Sequence, residues 1–191
     1  SLYHEKSPLS ILKKNEILDE YWEGYIQGIC EAQLKIYGYN FLEEVIPDTL
    51  IECLKQKFRN MIFCQNMIGD IERYIVANDF VGMRVSEQER IQTLNEIAKD
   101  RKVVLYTRSD TKLLNKVDCR PGVTTHMQMP KIFHLSKINL NITMKSIQSG
   151  LSLRVWDILG CGGFCLSNYQ SEIPDFFEIG KDIECYESIE E

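Results

Sequence analysis

The stretch "SGLSLRVWDILGCGGFCLSNYQSEIPDFF", Ser149 to Phe177, decides the fold. A Gly-Leu-Ser-Leu-Arg loop runs into an apolar segment with helical spacing. A Gly-Cys-Gly-Gly hinge ends that segment, and the apolar run "GFCLSN" (163–168) begins a buried strand. Glycine after the last periodic residue is a helix stop signal, and a short apolar run bounded by turn residues is a strand signal. The unit is therefore a helix feeding a strand through a glycine hinge. In an α/β protein this unit presents a helix N-terminus to a ligand.

Working outward, the same alternation continues on both sides. "KVVLYT" (102–107) reads as a buried strand, "VTTHMQ" (123–128) as a weaker one, and "MPKIFHLS" (129–136) as a short helix with Pro130 in its first turn. "INLNIT" (138–143) is a strand, followed by the helix at 151–159, the strand at 163–168, a short helix "EIPDFF" and a strand "DIECY". Ser86 and Glu89 have capping-box spacing, which predicts a helix starting there and ending near Lys99. Strands alternating with helices predict a doubly wound, mostly parallel sheet covered on both faces. Such sheets bind ligands at the carboxyl ends of their strands. Three places follow: after Tyr106-Thr107, after Asn141–Thr143, and after Ser167-Asn168.

Before Ser86 the pattern is helical. Ile17, Leu18, Tyr21, Trp22, Tyr25, Ile26 and Ile29 draw one apolar stripe, "YGYN" (37–40) breaks it, and Phe41, Leu42, Val45, Leu50, Ile51 and Leu54 draw a second. Pro47 is expected at a kink or in a first helical turn. "MIFC" (61–64) fits a strand or a helix turn, and a further helix is expected at 66–77. The division is thus a helical segment over 1–85 and an α/β domain over 86–191.

The 191 residues carry a net charge of -6, of which residues 171–191 hold -7 and the rest +1. One acidic end and no clustered basic face argue against a nucleic-acid surface. No apolar run reaches the ~18 residues of a membrane span, and the N-terminus lacks the basic and apolar regions of a signal peptide. Seven cysteines scattered among apolar neighbours read as reduced, buried thiols, which points to the cytoplasm. Cys161 and Cys165 have no second ligand pair after them, so no metal is expected. The chain begins with Ser rather than Met and reads as an excised piece.

Taken together, "SKINLNIT" (136–143), the spacing Gly150-x-x-x-Arg154-x-x-Asp157, "GGF" (162–164) with "LSN" (166–168), Glu172-x-x-x-x-Phe177 and the closing Tyr186-x-x-x-Glu190-Glu191 resemble the C-terminal half of bacterial GT-B glycosyltransferases. The branch they resemble is that of the spore maturation protein CgeB. The resemblance covers roughly 86–191. It implies a Rossmann-like half that binds a nucleotide-diphosphate sugar as donor substrate, with no other cofactor, and transfers the sugar to an unknown acceptor. The acceptor-binding half would lie N-terminally in the same protein, and the closing motif implies that the domain is truncated at its C-terminus.

In that resemblance the diphosphate lies beside Gly150 at a helix start, where free N–H groups and the helix dipole favour an anion. Arg154 is a phosphate or ribose contact or an internal partner of Asp157, which lies one turn away. Asp157 is the ribose carboxylate. Asn141 and Thr143, Tyr106, and His126 in what would be the base-recognition loop complete the candidate set. Related retaining families carry two glutamates eight positions apart, but Ser149 stands eight positions before Asp157. Catalytic residues are therefore not assigned, and a non-catalytic binding or assembly module that keeps the fold is the rival reading. A phosphate-sensing receiver-like domain fares worse, because no acidic cluster marks the strand ends.

Overall fold

The computed structural model describes residues 18–57, 71–147 and 149–191; "MIFC", residues 9–17 of the first expected stripe and residues 66–70 lie outside them. Helix α1 (Glu20–Leu34) starts at Asp19, whose carboxylate accepts from the Trp22 amide at 2.9 Å, with Glu20 and Glu23 in the dipole-favoured first turn. Ile26, Cys30 and Gln33 are its buried side. The chain turns at 35–41, where Gly38 takes a positive φ of 73°. Helix α2 (Leu42–Val45) and helix α3 (Asp48–Lys57) follow. Pro47 precedes α3, and its carbonyl accepts from Leu50 and Ile51.

A continuous helical run then spans α4 (Ile71–Tyr74), an eight-residue π-helix (Ile75–Gly82) and α5 (Met83–Asp100). This corrects the expected helix start at Ser86. Ser86 lies inside the helix, where its hydroxyl donates to the Gly82 carbonyl and accepts from the Lys145 amide. Ser86 and Glu89 are both buried and face the α/β half, so their three-residue spacing marks a shared face rather than a cap.

Strands β1 (Val104–Thr107) and β2 (Asp118–Pro121) form a parallel pair, with Val104 opposite Asp118 and Thr107 opposite Pro121. The strand expected at 123–128 is instead a turn. The Thr124 carbonyl accepts from Gln128 and Met129, and the Gln128 side chain accepts from the Thr124 amide. These bonds close the backbone on itself immediately before α6 (Met129–Leu135). Strand β3 (Asn139–Asn141) leads through helix α7 (Leu153–Gly160) to β4 (Cys165–Asn168), and short helix α8 (Ile173–Phe176) leads to β5 (Glu184–Tyr186). These three strands pair in parallel in the order β3-β4-β5.

The architecture is a Rossmann-like mixed α/β fold of parallel strands in two small sheets, with a helical N-terminal segment. Its apolar interior falls into two clusters. One joins Cys30, Leu42, Leu50, Leu54, Val76, Val81 and Val85; the other joins Val155, Ile158, Cys165, Ile173 and Ile183 across α7 and the three-stranded sheet. Among the described residues no helix is long and apolar enough to cross a membrane.

Candidate functional site

The carboxyl ends of β3 and β4 are joined by their own side chains. Asn168 pairs with Thr143 in both directions: its oxygen accepts from the Thr143 amide at 2.8 Å, and its amide donates to the Thr143 carbonyl at 3.1 Å. Asn141 donates to Thr143 Oγ1 and Ser167 Oγ at 3.0 and 2.9 Å and accepts from Ser152 Oγ at 3.2 Å. Thr143, Asn141, Ser167 and Asn168 are all buried. Satisfied buried polar groups of this kind fix one geometry, because an unpaired member would cost the full desolvation penalty.

Behind this network sits an ion pair that the sequence did not announce. Glu89 of α5 has no exposed side-chain surface, and Lys145, just past β3, keeps 8%; their charged atoms are 3.5 Å apart. Lys145 Nζ also donates to the Ile36 carbonyl at 3.3 Å and stands 3.7 Å from the centre of the Tyr37 ring. The Asn168 amide reaches Glu89 Oε1 at 3.3 Å. Burial pushes the Glu89 carboxyl above its ordinary range, with Lys145 opposing that shift, and burial lowers Lys145. Burial, and then the nearby Glu89, also raise the phenols of Tyr37 and Tyr186.

In front of the network lies a cavity of about 320 Å³ walled by three loops: Gly38, Tyr39 and Asn40 after α1; Thr143, Lys145 and Gly150 after β3; and Asn168 to Glu172 after β4. It occupies two of the three strand ends singled out above. Gly150 has φ +77° and open space around it, and its amide donates to Glu172 at 2.7 Å. Helix α7 begins beside it without a side-chain cap, since the Ser152 hydroxyl turns to Asn141. Among the described residues the amides of Leu153 and Arg154 have no hydrogen-bond acceptor.

The seven candidate residues divide accordingly. Thr143 and Gly150 line the cavity, and Asn141 braces it from behind. Arg154 and Asp157 stand further along α7, half-exposed, with charged atoms 3.6 Å apart. The Arg154 guanidinium lies 5.3 Å from the Phe133 ring and touches the Met129 sulfur, so it leans on α6. Tyr106 belongs to the two-stranded sheet, where its hydroxyl accepts from Arg120 at 3.3 Å. His126 is exposed in the turn before α6. Neither Tyr106 nor His126 lines the cavity. Lys145, Glu89, Glu172 and the Gly38–Asn40 loop were missed. The one available signal was position: "NITMK" places a lysine two residues past a strand end already marked for ligand binding.

Fold and site together describe an α/β protein with a polar cavity at its strand ends. Residues 76–191 match the family described as glycosyl transferase-like, and the chain belongs to that family. No curated protein and no solved structure matches it.

Proposed function

We propose that the chain is the donor-binding half of a cytoplasmic, bacterial GT-B glycosyltransferase of the CgeB-like branch, taking a nucleotide-diphosphate sugar and passing the sugar to an acceptor held elsewhere in the protein. The observation that carries this reading is the open N-terminus of α7. Two unaccepted amides and a positive dipole end stand at the carboxyl edge of a parallel sheet, beside a cavity, where a diphosphate is favoured. Asp157, one turn further along, takes the ribose hydroxyls, and residues 1–191 alone are not expected to transfer sugar, because acceptor positioning supplies much of the rate. Calorimetric titration with UDP-, GDP- and TDP-sugars tests the proposal; no binding to any of them would remove it.

Two observations favour the rival, a non-catalytic module that has kept the fold. Glu172 holds the Gly150 amide, and Ser149 stands where retaining relatives carry an acid. Under that reading the chain binds a partner protein and leaves sugar nucleotides alone, so the same titration separates the two.

A further inference from the structure

We infer that the Gly38–Asn40 loop, supplied by the helical segment and not by the α/β half, is the wall that recognises the sugar ring of the donor, with Tyr39 setting selectivity for an uncharged hexosyl group. The inference rests on the donor-binding reading and deepens it.

The first argument is what the cavity no longer offers to an anion. Lys145 is almost wholly buried and already engaged with Glu89, the Ile36 carbonyl and the Tyr37 ring. The Gly150 amide is taken by Glu172, whose own charge sits at the rim. Among the described residues, a phosphate placed in this space would find no free cation and would face a carboxylate. The unaccepted amides of Leu153 and Arg154 lie just outside, so the phosphates belong there and the group beyond them belongs in the cavity.

The second argument is what the cavity does offer. Tyr39 is 57% exposed and lines one wall. The Tyr169 ring forms another, and Gly38 comes so close to it that a Cβ would stand 3.0 Å from the ring edge. Gln170 Oε1 is buried with no partner among the described residues, and Glu172 lies at the rim. Aromatic side chains take the C–H side of a sugar, and the Glu172 carboxylate accepts from its hydroxyls. A volume of about 320 Å³ sits at the low end of ligand cavities, roughly 300–1,000 Å³, which suits one ring rather than a whole nucleotide sugar.

The third argument is that the wall is built, not draped. Fully buried Gln33 holds the loop from both sides: its amide donates to the carbonyls of Ile36 and Tyr39, and its oxygen accepts from the Phe41 amide. Asn40 donates to the Lys145 carbonyl at 2.9 Å and to Asn78 of the π-helix at 3.1 Å. Tyr39 itself is oriented by a hydroxyl bond to Glu44. A side chain held this way enters binding with little left to order, which favours selectivity.

The test is calorimetric titration of the wild-type chain, Tyr39→Ala and Tyr39→Phe with UDP-glucose, UDP-galactose and GDP-mannose, each beside its parent nucleoside diphosphate. The expected result is a wild-type preference for at least one sugar nucleotide over its parent. Tyr39→Ala should cut that preference about tenfold, with parent-diphosphate affinity held within twofold, while Tyr39→Phe, which keeps the ring and loses only the Glu44 bond, should lose less of it. An unchanged preference in Tyr39→Ala, an equal loss for sugar nucleotide and parent, or no wild-type preference while the diphosphates still bind would each overturn this inference alone. No binding of any of the compounds by the wild type would overturn the donor reading and this inference with it.

Discussion

Removing Lys145 should convert the protein into one whose stability depends steeply on acid pH. In Lys145→Met the Glu89 carboxyl stays buried without the cation that stands 3.5 Å away in the wild type. The chain's escape is to bind a proton. For a carboxyl of ordinary pKa 4.5, neutralisation at pH 7 costs about 3.4 kcal/mol, at about 1.36 kcal/mol per pH unit. That agrees with the ~3–5 kcal/mol typical of breaking one side of a buried pair. At about 2–4 °C per kcal/mol for a chain of this length, the melting temperature should fall by roughly 7–14 °C.

The sign follows from the raised carboxyl. A folded state that holds its proton more tightly than the unfolded chain loses stability as pH rises from about 4.5 through the raised value. The deficit of the variant should therefore shrink to about 0.7 kcal/mol at pH 5. Urea unfolding followed by circular dichroism at pH 5 and 7 measures both numbers. Glu89→Gln combined with Lys145→Met should lack the pH dependence. A Lys145→Met protein as stable as wild type at pH 7, or equally weakened at both pH values, would refute the reasoning.

Asp157→Asn should change stability by no more than ~0.5 kcal/mol, as for other exposed pairs, yet lower nucleotide affinity about tenfold, ~1.4 kcal/mol; a stable variant with undiminished affinity in titration removes Asp157 from the site. Gly163→Ala should destabilise by about 3 kcal/mol, because its Cβ would meet the Phe133 carbonyl oxygen at 2.6 Å and the Asn139 amide at 2.7 Å; thermal unfolding indistinguishable from wild type would contradict that packing. Burial pushes the thiols of Cys30 and Cys165 up to about 12, whereas Cys119 is exposed. Among the described cysteines, a thiol reagent at pH 8 should modify Cys119 first and reach Cys30 and Cys165 only on unfolding, and peptide mapping that finds those two labelled early would overturn the assignment.

The parts of the fold legible in the sequence are those written in local chemistry. The Gly-Cys-Gly-Gly hinge was readable because it answers to local constraints: Gly162 takes φ +70°, and Gly163 has no room for a side chain. The break at "YGYN" was readable for the same reason at Gly38. Strand β2 was not, because Asp118–Pro121 forms one side of a two-stranded pair with mostly exposed residues and needs no apolar alternation. The candidate site was half legible. Strand ends pointed to Asn141, Thr143 and Gly150, but Glu89 and Lys145 are 56 positions apart, and no local period records such a pairing. Nor does any period show that a loop inside the helix-rich segment closes the cavity.

That closure has a consequence for how the protein assembles and yields. The Asn40–Lys145 hydrogen bond joins positions 105 residues apart, and it ties a loop of the helical cluster to a loop of the α/β cluster. Long-range contacts of this kind form only after the intervening chain has paid its closure entropy, so the cavity is among the last features to appear in folding. A small molecule lodged there touches both bodies and acts as a rivet: pulling either cluster open must first expel it. Ligand binding would then raise the resistance of the whole described chain to heat and proteolysis together, rather than that of one cluster.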